Sequence, residues 1–256
     1  MAWKFEKPYS AQYPIIAGHR GFSLCYPENT LRAFEEAAKL GVDMVELDIS
    51  MSADGIPMLY HDDLLEKKSS PLAGNITGYT REELRQVRIG AKLGMDDQPL
   101  ATLEEFCQLY SNYPDIIVNV DLKPGSGVEG TVKPVMEILE KYGYMDRIFF
   151  NSLDGNITKY LHDNTEYLVV GPPEGFAWGV NQVPGPEGTY ATLDAVCIPT
   201  SELSMEAAEE LRRLGKIVVS APMADEAAAQ KALEVGVEIC LCDDPRPMLK
   251  LMGRMP

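Results

Sequence analysis

Residues 115–151 read DIIVNVDLKPGSGVEGTVKPVMEILEKYGYMDRIFFN, two apolar runs separated by a helical pattern. Residues 115–122 and 147–151 have the length and the Val, Ile and Phe content of buried strands. Between them, residues 132–141 carry apolar side chains at the spacing of a helix with one buried face. This order predicts two parallel strands joined by a helix that covers the sheet.

The same alternation continues in both directions along the chain. It predicts further strands at 13–17, 43–49, 167–170, 195–198, 217–220 and 237–241, and helices at 30–40, 103–109, 155–162, 205–214, 226–233 and 247–252. About eight strands is the number that closes an α/β barrel. The alternative is an open, doubly wound sheet, but no strand is followed by the glycine-rich phosphate loop common in such sheets. The pattern therefore favours a TIM-type (β/α)8 barrel.

One segment departs from the alternation. A short apolar run at 56–60 is followed by polar, Gly- and Pro-punctuated sequence at 62–99, with an amphipathic stretch near 81–87. No composition break divides the rest of the chain. We therefore expect a single barrel domain over residues 1–256, with a small inserted subdomain at about 62–99 after the second strand.

Charge and composition exclude several classes of protein. The chain has 256 residues, of which 45% are hydrophobic and 24% charged, so it is not a disordered sequence. Its 23 basic and 39 acidic residues give a net charge of −16, which repels nucleic acid and anionic membranes. We expect no nucleic-acid partner, and an anionic substrate would need local cations. The sequence leaves the oligomeric state open.

The expected compartment and the state of the cysteines follow from segments and spacings that the sequence lacks. No apolar run approaches the ~20 residues of a membrane span, and residues 1–14 lack the apolar core of a signal peptide. The five cysteines follow neither a disulfide framework nor a zinc spacing. We therefore expect a cytoplasmic protein whose cysteines are small buried hydrophobes.

Acidic residues are concentrated where the predicted strands end, which is where α/β barrels carry their active sites. Glu46 and Asp48 lie two apart on one strand, and Asp121 and Lys123 lie two apart on the next. A spacing of two puts both side chains on the same face. The three carboxylates predict a site for a hard divalent cation, Mg²⁺ or Ca²⁺. The alternative is a structural salt-bridge network with Arg20 and Lys123.

Two of the three histidines also fall at strand ends. His19 and His61 beside the carboxylates suggest a general base and a general acid, although two histidines and a carboxylate are also a zinc ligand set. We expect His162 to lie at a helix terminus or on the surface. Arg20 and Lys123 favour an anionic substrate such as a phosphate ester. Together these residues predict metal-assisted cleavage of a phosphoester.

Several motifs in a fixed order identify a family. They are His19-Arg20-Gly21, Pro27-Glu28-Asn29-Thr30, Glu46-x-Asp48, Asp54-Gly55, His61-Asp62, residues 99–105 (PLATLEE), residues 119–123 (NVDLK) and Asp243-x-Pro245. In this order and spacing the chain resembles the glycerophosphodiester phosphodiesterase family. The resemblance covers nearly the whole chain and is most specific in its first third.

The resemblance implies a TIM-type barrel that hydrolyses small glycerophosphodiesters to an alcohol and sn-glycerol 3-phosphate with Mg²⁺ or Ca²⁺. Carried over by motif position, the implied roles are acid–base catalysis for His19 and His61, phosphate binding for Arg20 and Lys123, and metal binding for Glu46, Asp48 and Asp121. The chain departs from the family at two places. The family usually has Glu where Asp121 stands, and Trp-Thr-Val-Asn where residues 221–224 read APMA.

Two other functions stay open at this stage. One is a phosphodiesterase that acts on lysophospholipids, with the acyl chain held by an apolar groove in loop 171–190 around Phe176 and Trp178. The other is a non-catalytic barrel that binds phosphate. The acidic surface favours small diffusible esters, such as glycerophosphocholine or glycerophosphoethanolamine, over a lipid bilayer.

Overall fold

Eight parallel strands close into a barrel in the computed structural model, which describes residues 12–62, 64–65, 71–90, 94–125, 127–185 and 187–255. The barrel strands are β1 (Ile15–His19), β2 (Met44–Met51), β6 (Ile117–Leu122), β7 (Ile148–Asn151), β8 (Leu168–Gly171), β9 (Ala195–Pro199), β10 (Ile217–Met223) and β11 (Ile239–Cys242). Each strand pairs in parallel with its neighbours, and β1 closes the barrel by pairing with both β2 and β11. The predicted barrel and all eight predicted strands are confirmed.

Helices lie between the strands, and all but the four-residue α2 cover the outside of the barrel. They are α1 (Leu31–Leu40), α2 (Arg81–Leu84), α3 (Leu103–Tyr110), α4 (Lys133–Lys141), α5 (Gly155–Asn164), α6 (Met205–Arg213), α7 (Glu226–Val235) and α8 (Arg246–Leu251). The first helix shows why these bounds arise. Thr30 caps its start by accepting a hydrogen bond from the amide of Ala33, and Gly41 ends it in the left-handed region at φ +81°.

The strand alternation of β2 divides its side chains between two environments. Val45, Leu47 and Ile49 face outward and join the apolar layer between the barrel and its helices. Met44 faces inward and packs in the interior apolar cluster with residues such as Ile117. Glu46 and Asp48 share the inward face with Met44 but lie nearer the carboxyl end of the strand. The predicted orientation of this strand is confirmed.

Between β3 (Pro57–Leu59) and α3 the chain forms short elements beside the barrel. They are a 3₁₀ turn at Ile76–Gly78, α2, and a hairpin of β4 (Arg88–Ile89) and β5 (Gln98–Pro99). A separate apolar cluster packs them, made of Met58, Tyr60, Leu65, Ile76, Leu84, Val87, Ile89 and Leu100. Part of the predicted insertion, residues 63, 66–70 and 91–93, lies outside the described residues. The extent of an inserted subdomain stays a prediction.

The cysteines match the expectation of burial at three of five positions. All five cysteines are free, and Cys107, Cys240 and Cys242 are buried. Cys25 is exposed instead, because it lies in the loop after β1, where its sulfur contacts the guanidinium of Arg246. Within the described ranges, no helix is both long and apolar enough to cross a membrane. Residues 1–11, where a signal peptide was not expected, lie outside those ranges.

Candidate active site

The register of the barrel brings the predicted acidic residues to one rim. His19, the last residue of β1, pairs with Glu46 of β2, and Asp48 of β2 pairs with Asp121 of β6. Because side chains alternate along a strand, Glu46 and Asp48 both face the interior. The exposed fractions of Glu46, Asp48 and Asp121 are 2%, 1% and 6%. The predicted gathering of these carboxylates at the carboxyl ends of the strands is therefore present.

The three carboxylates form one tight group. One oxygen from each of Glu46, Asp48 and Asp121 lies within 4.8 Å of the others. Burial raises the pKa of both Glu46 and Asp121, and the negative charge of Asp48 raises each further. For Asp48, burial acts in the same direction, but the charges of Lys123 and Arg20 outweigh it and hold its pKa well below the ordinary value. The group has an excess of negative charge that its neighbours offset only in part.

Lys123 supplies the first counter-charge. Its Nζ lies 2.5 Å from Oδ1 of Asp48 and 2.6 Å from Oδ2 of Asp121. Burial alone would lower the pKa of this ammonium, but the two carboxylates raise it above its usual range. Lys123 is therefore charged at neutral pH and bridges β2 to β6.

Arg20 supplies the second counter-charge from the turn after β1. Its backbone N–H donates to Oε2 of Glu46 at 3.0 Å, and its guanidinium donates to Glu28 at 3.1 Å. Its Nε lies 3.3 Å from Oδ2 of Asp48. The backbone has φ +56°, a left-handed conformation that is uncommon for arginine. The salt-bridge network considered from the sequence is thus part of the structure, and it places both cations beside the acids.

His19 lies between the carboxylate group and an aspartate at the end of the last strand. Its Nδ1 is 2.6 Å from Oδ1 of Asp243, and its Nε2 is 4.0 Å from Oε2 of Glu46. Asp243 also accepts a hydrogen bond from the hydroxyl of Ser23 at 3.1 Å. Burial of Asp243 opposes its ionisation, but hydrogen bonding and charge from His19 lower its pKa. An ionised Asp243 accepts a hydrogen bond from Nδ1–H of His19, and Nε2 is directed toward the acids.

His61 borders the same group from the segment after β3. Its Nδ1 lies 3.2 Å from Oδ1 of Asp62, and its side chain is about one-third exposed. When protonated, its charge favours ionisation of both Asp48 and Asp121. The two strand-end histidines therefore flank one carboxylate group. His162 is exposed on α5, as expected.

Sequence reasoning assigned no site role to three residues that hold this arrangement together. Asn29 directly precedes Thr30, which caps α1. The side chain of Asn29 donates to Oδ2 of Asp48 at 2.7 Å and accepts from the Asp48 amide at 3.0 Å. Glu28 binds Arg20, and Asp243 binds His19. The position of Asp243, directly after a barrel strand, was the signal that could have identified it.

The donor set fits a hard divalent cation. All three grouped residues offer carboxylate oxygens, which suit Mg²⁺ or Ca²⁺ better than zinc. In the described part of the chain, Oδ1 of Asp121 is buried and has no hydrogen-bond partner. Neither histidine is a member of the group, so the zinc set of two histidines and a carboxylate is not assembled. An oxygen without a donor beside two other carboxylates is what a bound cation would satisfy.

Comparisons with known proteins agree with this geometry. A glycerophosphodiester phosphodiesterase of Caldanaerobacter subterraneus subsp. tengcongensis is 27% identical over 160 residues, or 61% of this chain and 65% of the relative. One from Bacillus altitudinis is 34% identical over 155 residues, or 57% of this chain and 61% of the relative. These alignments span less than two thirds of each curated relative.

A solved structure matches over a greater length. A phosphodiesterase of Oleispira antarctica, in complex with the product sn-glycerol-3-phosphate, superposes with a TM-score of 0.79 at 25% identity. The match covers 94% of this chain and 97% of that one. The model of the glycerophosphoryl diester phosphodiesterase family matches residues 19–245, which include every residue of the site described above. The chain belongs to the glycerophosphoryl diester phosphodiesterase family.

Proposed function

We propose that the protein is a phosphoric diester hydrolase that cleaves glycerophosphodiesters to an alcohol and sn-glycerol 3-phosphate. The observation that carries the proposal is the buried group of Glu46, Asp48 and Asp121 with a histidine on either side. A scaffold protein has no need to bury three mutually repelling carboxylates, because their desolvation is costly. Membership of the family and the product bound by the Oleispira antarctica protein support the substrate class.

In this proposal Glu46, Asp48 and Asp121 hold a divalent cation, and Arg20 and Lys123 bind the phosphate. A bound dication would supply Lewis-acid polarisation of a phosphoryl oxygen. The guanidinium of Arg20 offers paired N–H donors that match phosphate oxygens, and Lys123 offers a point charge. Both cations contact the carboxylate group, so a phosphate bound by them lies beside the cation site.

His19 and His61 act as the acid–base pair. One imidazole accepts a proton from a water molecule while the water oxygen bonds to phosphorus. The other donates a proton to the alcohol oxygen as the P–O bond breaks. Asp243 acts through His19 as a positioning residue, since it fixes the ring and the nitrogen that carries the proton.

The experiment is turnover of a panel of diesters by the purified protein, with Mg²⁺, with Ca²⁺ and with a chelator. The panel contains glycerophosphocholine, glycerophosphoethanolamine and lysophosphatidylcholine. The readout is released sn-glycerol 3-phosphate for the first two and lysophosphatidic acid for the third. We expect release from the two headgroup diesters, and loss of that release with the chelator. No release from any diester with either cation would contradict the proposal and leave a phosphate-binding barrel.

A further inference from the structure

Two asparagine side chains inside the barrel have amide oxygens that the fold leaves unsatisfied. Asn119 of β6 is 1% exposed, and no described residue donates a hydrogen bond to its Oδ1. The buried Oδ1 of Asn151, at the end of β7, also has no donor in the described ranges. A buried amide oxygen without a partner costs about 1–3 kcal/mol. Native structures keep such groups where water, an ion or a ligand satisfies them.

Both amides are neighbours of the carboxylate group. The parallel register pairs Asn119 with Glu46 and Asn151 with Asp121. Asn119 also precedes Asp121 by two residues on the same strand, so both side chains face the barrel interior. The unpartnered Oδ1 of Asp121 lies on this face as well. Three oxygens that lack donors are therefore clustered on the β6 and β7 side of the carboxylates.

The two nearby cations contact other groups. The ammonium of Lys123 is held by Asp48 and Asp121, and the guanidinium of Arg20 is held by Glu28 with its Nε against Asp48. The three grouped carboxylates only accept hydrogen bonds when they are ionised. Oxygens at neighbouring strand positions to which no described residue donates are complementary to a cation rather than to another acceptor.

We infer that the amide oxygens of Asn119 and Asn151 belong to the cation site, together with Glu46, Asp48 and Asp121, and that the complete site prefers Ca²⁺ to Mg²⁺. This inference rests on the cation site of the proposed function and extends it to the choice of ion. Ca²⁺ takes about six to eight oxygen ligands and accepts neutral amide oxygens, whereas Mg²⁺ demands an octahedral set and keeps several waters. Three grouped carboxylates with two unpartnered amide oxygens at neighbouring strand positions match the ligand number of the larger ion.

The test is calorimetric titration of Ca²⁺ and of Mg²⁺, separately, into the metal-free protein without substrate. We expect tighter binding of Ca²⁺ to the unchanged protein. Asn119→Leu and Asn151→Leu remove the amide oxygens at similar volume, so each raises the Kd for Ca²⁺ by about tenfold or more. The Kd for Mg²⁺ changes less. Asn119→Asp keeps an oxygen and the side-chain size, and binds Ca²⁺ at least as tightly as the unchanged protein.

Thr131→Val is the matched control. The Oγ1 of Thr131 is also buried without a partner in the described ranges, but it lies in the turn before α4 and not in the carboxylate group. Its removal leaves both Kd values unchanged. If Thr131→Val also raised the Kd for Ca²⁺, metal binding would be responding to the loss of any buried oxygen. That result would overturn the inference.

The outcomes separate the inference from the proposed function. Wild-type Ca²⁺ affinity in both leucine variants, or tighter binding of Mg²⁺ than of Ca²⁺ by the unchanged protein, overturns the inference even if diesters are hydrolysed. Loss of Ca²⁺ affinity in the leucine variants sustains it, even if no diester in the panel is a substrate and the proposed function fails.

Discussion

The two sides of the barrel mouth differ in charge. The charged side, formed by the ends of β1, β2 and β6, carries buried acids and two cations around the histidines. The uncharged side, formed by the ends of β8, β9 and β10, ends in Gly171, Pro199 and Met223. Both sides rest on the same apolar interior.

The two sides differ in the free energy that is needed to bury their side chains. Burying charges costs free energy, and the charged side contains that cost by pairing its acids with Lys123, Arg20 and Asn29. The uncharged side carries no such pairs at its strand ends, so a substitution there leaves no buried charge without a partner. Changes on the charged side should therefore affect chemistry and stability more than changes on the uncharged side.

The largest effect is expected from removal of a histidine on the charged side. His19→Ala and His61→Ala each lower kcat for glycerophosphocholine by roughly 10²–10⁴-fold, because each removes one proton-transfer group. The measurement is steady-state kinetics with saturating cation. His162→Ala, which alters an exposed histidine on α5, retains full activity as the matched control. Full turnover by His19→Ala would contradict the assignment of His19 to acid–base catalysis.

Within the charged side, two neighbouring acids should have opposite effects on the metal-free protein. Asp48→Ala leaves Asn29 without its carboxylate partner and Lys123 with Asp121 alone, and we expect a loss of about 3–5 kcal/mol in the free energy of unfolding. Asp121→Asn should raise this free energy at pH 7. Burial raises the folded pKa of Asp121 above its unfolded value, so its contribution to stability declines as the pH rises.

Urea denaturation in the presence of a chelator measures both changes. A similar loss of stability in the two variants would show that the acids are interchangeable salt-bridge partners. It would contradict the view that Asp121 is kept buried, at a cost in desolvation free energy, because it binds a cation.

A smaller effect is expected from Asp243, at the edge of the charged side. It concerns the decline of the free energy of unfolding at acid pH. The pKa of Asp243 is lower in the folded protein than in the unfolded chain, so its contribution is present at neutral pH and is lost as the pH falls through the acid range. Asp243→Asn should therefore flatten the decline in stability between neutral pH and about pH 3. Thermal unfolding across this range measures the slope, and a slope identical to that of the unchanged protein would contradict the role of the His19 pair.

The smallest effect is expected on the uncharged side. Trp178 follows β8 and its side chain is 74% exposed, so Trp178→Ala should change the free energy of unfolding by no more than about 0.5 kcal/mol. Turnover of glycerophosphocholine should be unchanged. Turnover of lysophosphatidylcholine, measured in parallel, shows whether Trp178 contacts the acyl chain of a lipid substrate. A selective loss on the lipid would favour the lysophospholipid alternative and give the loop a role in recognition.

Much of the fold could be predicted because its signals are local. The Val- and Ile-rich runs and the helix caps lie within single segments, and the period of two on β2 alone predicts that Glu46 and Asp48 face inward. The site was harder, because its residues meet only after the barrel closes. Asn29 illustrates this limit. It lies directly before the N-cap of α1, and the left-handed backbone at φ +56° and the fold around it direct its side chain to Asp48.

The sequence by itself determined the order of strands and helices, the inward face of β2 and the residue types at the strand ends. Only the tertiary structure decided which of those groups meet. His19 and Asp243 are separated by 224 positions in the chain, yet their atoms lie 2.6 Å apart because β1 pairs with β11. Lys123 reaches Asp48 because β2 and β6 are in register. Local patterns specify elements, whereas contacts between distant residues depend on barrel closure, strand stagger and side-chain direction, which no single segment encodes.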